Sequence, residues 1–158
     1  MSLTIYAYIS DGGILEEISH GAGRIAGHLG LDNLIMYYDA NNIQLSTTVE
    51  EVDSEDVAAK YKAWGWHVIE IDGCCPDQIR TALKEAKATV GKPTLIIGKT
   101  VMGRGAVGPN GENYENRVNT HGQPLSAAGA CFDGTVKNLG GDPSEPFQIF
   151  PAVQALYD

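Results

Sequence analysis

Thr4-Ile-Tyr-Ala-Tyr-Ile9, running into Ser10-Asp11-Gly12-Gly13, and Leu34-Ile-Met-Tyr-Tyr38, running into Asp39-Ala40-Asn41-Asn42-Ile43, decide how this chain is read. Each apolar run has the length and composition of a strand, and each gives out at polar, turn-forming residues. In a parallel α/β sheet the carboxyl ends of the strands are where ligands bind. A carboxylate from Asp11, a carboxamide from Asn41 and the main-chain carbonyl of Ile43 brought together there make a hard-oxygen site. Such a set suits Mg²⁺ or Ca²⁺ carrying a polyphosphate.

Outward from these two runs, strands and helices alternate. Ile14, Ile18, Ala22, Ile25, Ala26 and Leu29 recur at three- and four-residue intervals, which predicts one helix with a buried face, and Gly30 is placed to close it. Asp53 or Ser54 can cap a short helix through Tyr61 and Lys62. Trp66-His-Val-Ile-Glu-Ile71 reads as a third strand. Pro76 suits the first turn of a helix carrying Ile79, Leu83, Ala86 and Val90, and Pro93-Thr-Leu-Ile-Ile-Gly-Lys99 is a fourth strand. The fold expected is α/β, a parallel sheet with right-handed crossovers and helices on both faces.

After Val101 the character changes. Residues 103–120 hold many glycines and polar residues with no helical or strand period, and a loop of that length in a compact domain is usually functional or disordered. A helix is expected from Ser126 to Leu139, then a Pro-rich tail over 140–158 ending in a short helical stretch. By length, 1–158 is a single domain large enough to bury a core.

With 11 basic and 20 acidic residues the net charge is −9, which argues against nucleic-acid binding, since phosphate neutralisation needs clustered Lys and Arg. No apolar run reaches the length of a membrane span and no signal peptide is visible, so neither a membrane nor secretion is expected. The opening Met1-Ser2-Leu3 reads as an expression scar. The three cysteines include the vicinal pair Cys74-Cys75, without a CxxC or a metal spacing, as in a reduced, cytoplasmic compartment.

Two readings stay open for each candidate residue. Asp11 is equally a favoured helix N-cap, and Asp-Gly marks turns. Gly12 and Gly13 let backbone pass close to a ligand, and the helix that follows offers N–H groups suited to a diphosphate. Asn41 and Asn42 also fit a turn tolerant of the left-handed region. His121, in Thr120-His-Gly-Gln-Pro-Leu125, is either a surface histidine or a donor to a phosphate oxygen or developing oxyanion. Lys99 and Arg104 could meet an anion or simply be solvated. His20, His28 and His67 read as structural or exposed, and Trp64 and Trp66 as core.

Together these residues resemble the diphosphate-binding part of transketolase, from about Ile5 to Leu125. Asp11-Gly12 and Asn41 match the thiamine-diphosphate motif. Glu16, Ile18-Ser-His20, Gly65-Trp-His-Val68, Ile71-Asp-Gly73, Lys92-Pro93, Lys99-Thr100 and His121-Gly-Gln-Pro-Leu125 narrow the resemblance to transketolases. It implies a part of an enzyme that moves a two-carbon ketol unit from a ketose phosphate to an aldose phosphate. It further implies the pentose phosphate pathway, a cytoplasmic homodimer, sugar-phosphate substrates, and thiamine diphosphate with Mg²⁺ or Ca²⁺ as cofactors.

Residue by residue, the resemblance places Asp11, Asn41 and Ile43 on the metal. Gly12 and His121 fall on the diphosphate, with His121 also catalytic, Leu45 on the thiazolium ring and Glu16 at the dimer interface. Ser10 stands where the motif usually has Gly, and Gly21 where many transketolases have an acidic residue. The pyrimidine-binding domain, with the glutamate that activates the cofactor, has no counterpart in these 158 residues. The chain is therefore expected to be a partial diphosphate-binding domain, inactive alone. The rival readings are a 1-deoxyxylulose-5-phosphate synthase-like enzyme, which the His121 segment disfavours, and a noncatalytic phosphate-binding module, which lacks a GxGxxG after the first strand.

Overall fold

Strand alternation sets the frame of the first unit. In the computed structural model, which describes residues 3–158, β1 (Ile5–Ser10), β2 (Leu34–Ala40), β3 (His67–Asp72) and β4 (Thr94–Lys99) form one parallel sheet in the order β1-β2-β4-β3. The register is continuous, with Ser10 beside Asp39 and Ala40 beside Lys99, so the carboxyl ends of β1, β2 and β4 lie together. Met1 and Ser2 of the suspected scar lie outside the described residues. The chain divides into two compact units, Met1–Val101 and Met102–Asp158.

Helices cover both faces of the sheet, as expected from the alternation. On one face α1 (Asp11–Leu15), α2 (Glu17–Leu29) and α3 (Val57–Ala63) bury Ile14, Ala26 and Tyr61 against Tyr38, Trp66, Leu95 and Ile97. On the other, α4 (Pro76–Ala88) buries Ala82 and Ala86 against Ile35 and Ile96. β4 has both faces covered, and its apolar run is buried from Thr94 to Gly98, as a central parallel strand requires. Trp66 is a core residue, with its indole N–H donating to the Gly23 carbonyl at 2.8 Å.

Five local expectations need correction. The helix expected from Ile14 to Leu29 is broken at Glu16, whose backbone is extended, so α1 and α2 are separate. Gly30 does close α2, in the left-handed conformation at φ 61°. Of the apolar stripe, Ile18, Ile25 and Leu29 are exposed. The face of α2 that packs is instead its small-residue stripe, because Gly23 and Gly27 let the helix approach Trp64 closely. A Cβ on Gly27 would stand 1.9 Å from the Trp64 carbonyl oxygen, and backbone cannot swing aside. Gly27→Ala is therefore expected to cost about 3 kcal/mol, the upper end for overpacking. The check is a lowered urea midpoint at unchanged m-value.

The cap of α3 is Asp56, whose side chain accepts from the Ala59 N–H at 2.8 Å, whereas Asp53 accepts from the Glu55 N–H. Val90 lies beyond the end of α4 and is exposed. The helix expected over Ser126 to Leu139 shrinks to α5 (Phe132–Asn138). Gly129 at φ 95° and the Ala130 N–H bonded to the Leu125 carbonyl hold the preceding residues in turns. The tail ends in an exposed short helix, α6 (Pro151–Tyr157).

In the second unit the glycine-rich loop folds back on itself. Val107 bridges Asn113, the Tyr114 N–H donates to the Ala106 carbonyl at 3.0 Å, and the Glu115 carboxylate accepts from the Gly105 N–H at 2.7 Å. Arg117 stacks over the Tyr114 ring at 3.7 Å. A single-turn 3₁₀ helix at Val118–Thr120 then leads into His121.

Candidate active site

β1 ends at Ser10 and the chain turns at once into α1, which puts Asp11 in the interior at 2 % exposure. Its carboxylate does not cap a helix: Ser10 holds the cap position, and Asp11 reaches across to the end of β2. Oδ1 accepts from the Tyr38 hydroxyl at 2.7 Å, and Oδ2 accepts from the Asn41 N–H at 3.1 Å. These two bonds join the two loops that the sequence marks as a pair. They argue against the N-cap reading of Asp11, since an N-cap carboxylate would bond backbone N–H groups of its own helix. Because α1 has only five residues, it lacks the extended helix N-terminus expected to favour a diphosphate.

Burial raises the Asp11 carboxyl above its ordinary value, and the nearby Asp39 charge adds to the rise, while the Tyr38 and Asn41 hydrogen bonds oppose it. Tyr38 itself is pushed well up, by its own burial first and by the hydrogen bond to Asp11 second. A buried carboxylate in this state is one that a cation would stabilise.

Asn41 continues the arrangement. Its side-chain carbonyl accepts from the Ile43 N–H at 3.0 Å, and an amide oxygen has a second lone pair to offer. Asn42 sits in the left-handed region at φ 65°, which an asparagine tolerates better than most residues. Together these turn the chain so that Ile43 is buried and bridged to Thr48, with the Val49 N–H donating to the Asn42 carbonyl. Leu45, at the tip of this loop, is 75 % exposed. Gly12 is exposed, and a Cβ there would meet nothing within 4 Å.

Sequence reasoning gives no role to the neighbouring Asp39. Its carboxylate accepts from the Tyr8 hydroxyl of β1 and from the Thr100 hydroxyl after β4, tying three strand ends together. Tyr8 is pushed up to about 12, mainly by burial and then by this bond, and its ring stacks on Tyr37. Tyr8 and Tyr37 are register partners and Asp39 follows Tyr37 on the same face of β2, a juxtaposition that only the strand register reveals.

His121 belongs to the second unit. It is half-buried, and its Nδ1 is a buried polar atom with no hydrogen-bond partner among the described residues. Such an atom costs free energy unless something satisfies it. Lys99 is exposed at the end of β4, and Arg104 is exposed in the second unit. His20 Nε2 lies 3.1 Å from the Ile14 carbonyl oxygen and 3.0 Å from Lys60 Nζ, and His67 pairs with Glu85 at 2.8 Å, so both have structural uses. A Cβ on Gly21 would meet nothing within 4 Å; packing does not demand glycine there. Among the described residues, no group of three His, Cys, Asp or Glu stands together, so a cation here would rely on one carboxylate and neutral oxygens. No described helix is long and apolar enough to cross a membrane.

The family model for the transketolase thiamine diphosphate-binding domain matches residues 1–158. Transketolase 2 of Xanthobacter flavus is 40% identical over 154 residues, covering 97% of this chain and 21% of its own length. Transketolase 1 of Escherichia coli (strain K12) is 37% identical over 154 residues, covering 97% of this chain and 22% of its own. Among solved structures, transketolase from Campylobacter jejuni superposes with a TM-score of 0.87 at 33% identity, covering all of this chain and 24% of that one. Transketolase from Pichia stipitis, in complex with sedoheptulose 7-phosphate, gives 0.86 at 33% identity, over 98% of this chain and 22% of that one. The chain thus spans about a fifth of the length of the curated relatives it matches. It belongs to the transketolase thiamine diphosphate-binding domain family.

Proposed function

We propose that this chain supplies the diphosphate- and metal-binding part of a transketolase, which transfers a two-carbon ketol unit from a ketose phosphate to an aldose phosphate. The observation that carries the reading is the buried Asp11 carboxylate held against the Asn41 backbone, in a chain whose family binds thiamine diphosphate. The residues fit a divalent ion: one desolvated carboxylate, one side-chain carbonyl with a lone pair to give, and the main-chain oxygen of Ile43. Oxygen-only donors of this kind suit Mg²⁺ or Ca²⁺. The parent enzyme would act as a cytoplasmic homodimer in the pentose phosphate pathway, with its pyrimidine-binding domain completing the site.

When bound, thiamine diphosphate supplies the nucleophilic carbon and the electron sink for the transfer. The protein groups proposed here anchor and orient. Asp11, Asn41 and Ile43 would hold the ion and through it the diphosphate, and the open approach at Gly12 would admit a diphosphate oxygen. Leu45, exposed at its loop tip, offers an apolar surface for the thiazolium ring. His121 would donate to a phosphate oxygen and stabilise developing negative charge on the substrate; its unsatisfied Nδ1 supports a ligand-directed role.

A titration with thiamine diphosphate, with and without Mg²⁺, tests the reading in the full-length enzyme carrying this segment. Tight binding that requires the ion is the expected result, and metal-independent binding would overturn the assignment. Gly12→Ala separates site from scaffold. Stability should stay within about 0.5 kcal/mol, as for surface changes generally, because a Cβ there meets nothing within 4 Å. Cofactor affinity should fall, since the added methyl occupies the approach of the diphosphate. A Gly12→Ala enzyme with native affinity would remove Gly12 from the site.

A further inference from the structure

The vicinal cysteines have no part in the proposed cofactor site, and the fold gives them a defined setting. Cys74 and Cys75 occupy the turn between β3 and α4, with Cys75 at the cap position of a 13-residue helix. The turn is closed by the Cys75 N–H on the Asp72 carbonyl at 3.1 Å, and the Cys74 N–H donates to Asp72 Oδ1 at 2.8 Å. On its two sides, the Asp72 N–H donates to Gln78 Oε1 at 2.8 Å and the Gly73 N–H to the Lys99 carbonyl at 2.8 Å. Gly73 is wedged so tightly that a Cβ would lie 2.6 Å from Thr100 Cγ2 and 2.7 Å from the Tyr37 hydroxyl. Both thiol-bearing residues are half-buried, and no disulfide joins the described cysteines.

We propose that this turn is a two-thiol binding site for trivalent arsenic of the monosubstituted class, R–As(III). Geometry separates this ligand from the alternatives. Adjacent Cα atoms stand about 3.8 Å apart across a trans peptide, below the span of about 4.4–6.8 Å that unstrained disulfides use. A direct sulfur–sulfur bond is therefore disfavoured, whereas an arsenic atom inserted between the sulfurs enlarges the ring by one member and relaxes the closure. Zinc asks for three or four protein ligands, and among the described residues no third His, Cys, Asp or Glu completes a cluster. A monosubstituted arsenical needs only two sulfurs, its third bond being to carbon. The step balances without any oxidant: R–As=O and two thiols give R–As(SR′)₂ and one water. Two arsenic–sulfur bonds form, the arsenic–oxygen bonds break, and the two thiol protons leave with the oxygen.

Phenylarsine oxide is the probe, titrated into the whole 158-residue chain and its Cys74→Ser, Cys75→Ser and Cys131→Ser variants. Intact mass reads uptake, and competition with glutathione reads affinity. The native chain and Cys131→Ser should each take up one phenylarsenic group that survives excess glutathione and is released by a dithiol. Cys74→Ser and Cys75→Ser should hold it at least about a hundredfold more weakly, the gain expected of a second, intramolecular bond. Far-UV circular dichroism checks folding, and Cys74→Ala and Cys75→Ala replace any serine variant that fails it. The proposal falls if the native chain does not retain the arsenical. It falls equally if either single variant retains it within a few-fold of native, or if Cys131→Ser loses it.

Discussion

Asp11→Ala is expected to abolish Mg²⁺-dependent binding of thiamine diphosphate in the full-length enzyme that carries this segment. Partners one shell further out typically cost 10- to 100-fold when removed, so loss of the sole carboxylate should exceed about a hundredfold. Truncation also strands the Tyr38 hydroxyl and the Asn41 N–H, which bond that carboxylate at 2.7 and 3.1 Å. The orphaned Tyr38 hydroxyl, a buried donor, alone costs about 1–3 kcal/mol, so the protein should be destabilised as well. Tyr38→Phe removes one donor and leaves the carboxylate, and it should weaken stability while preserving metal dependence. An Asp11→Ala enzyme with native affinity and metal response would reduce Asp11 to a scaffold residue.

The same carboxylate sets a pH dependence. Burial raises its folded pKa above the ordinary value near 3.8, so the folded state holds the proton more tightly than the unfolded chain. That contribution to stability is fully present below the unfolded pKa and is lost as pH rises through the folded one. Wherever the pH exceeds that raised value, the cation-free protein carries an ionised, desolvated Asp11 at a cost that a bound cation offsets. Cation affinity, measured by titration at a series of pH values, should weaken as pH falls through the raised folded pKa. A flat profile across that window would mean that Asp11 does not bind the ion.

How much of this was legible in the sequence depends on range. The strands were, because β2 and β4 are short apolar runs bounded by turn residues and their burial follows directly. The pairing of Asp11 with the Asn41 loop was legible as a motif, yet its mechanism was not. The hydroxyl of Tyr38 and the backbone of Asn41 come to Asp11 only through the parallel register of β1 and β2. The buried face of α2 was misread for a related reason. Periodicity finds large apolar residues, and here the contact is made by Gly23 and Gly27 because the Trp64 backbone comes so close. Ile18, Ile25 and Leu29 form a separate exposed stripe that the pattern alone cannot distinguish from a core face. The break at Glu16 rests on a single backbone conformation that a glutamate does not announce, whereas Gly129, at φ 95° before α5, is a breaker signal that the expected helix passed over.

Purified alone, the 158-residue chain is expected to show no ketol transfer. Activation of thiamine diphosphate needs a carboxylate at its aminopyrimidine, which the transketolase resemblance assigns to a pyrimidine-binding domain, and this chain spans about a fifth of its relatives. The acidic residues near the proposed site are already engaged. Asp11 bonds Tyr38 and Asn41, and Asp39 bonds Tyr8 and Thr100. Neither can be recruited as the missing base without breaking the contacts that join the strand ends. Leu45, offered to the ring, stands 75 % exposed, and a reacting carbon left that open to water would be quenched by protonation. Adding the remainder of a transketolase relative as a separate chain should restore no activity unless the two parts assemble. A coupled assay with xylulose 5-phosphate and ribose 5-phosphate decides the matter, run beside a mock purification that excludes host enzyme. Turnover by the chain alone above that background would show that the activating carboxylate is supplied from within these residues, and the proposed division of labour would have to be abandoned.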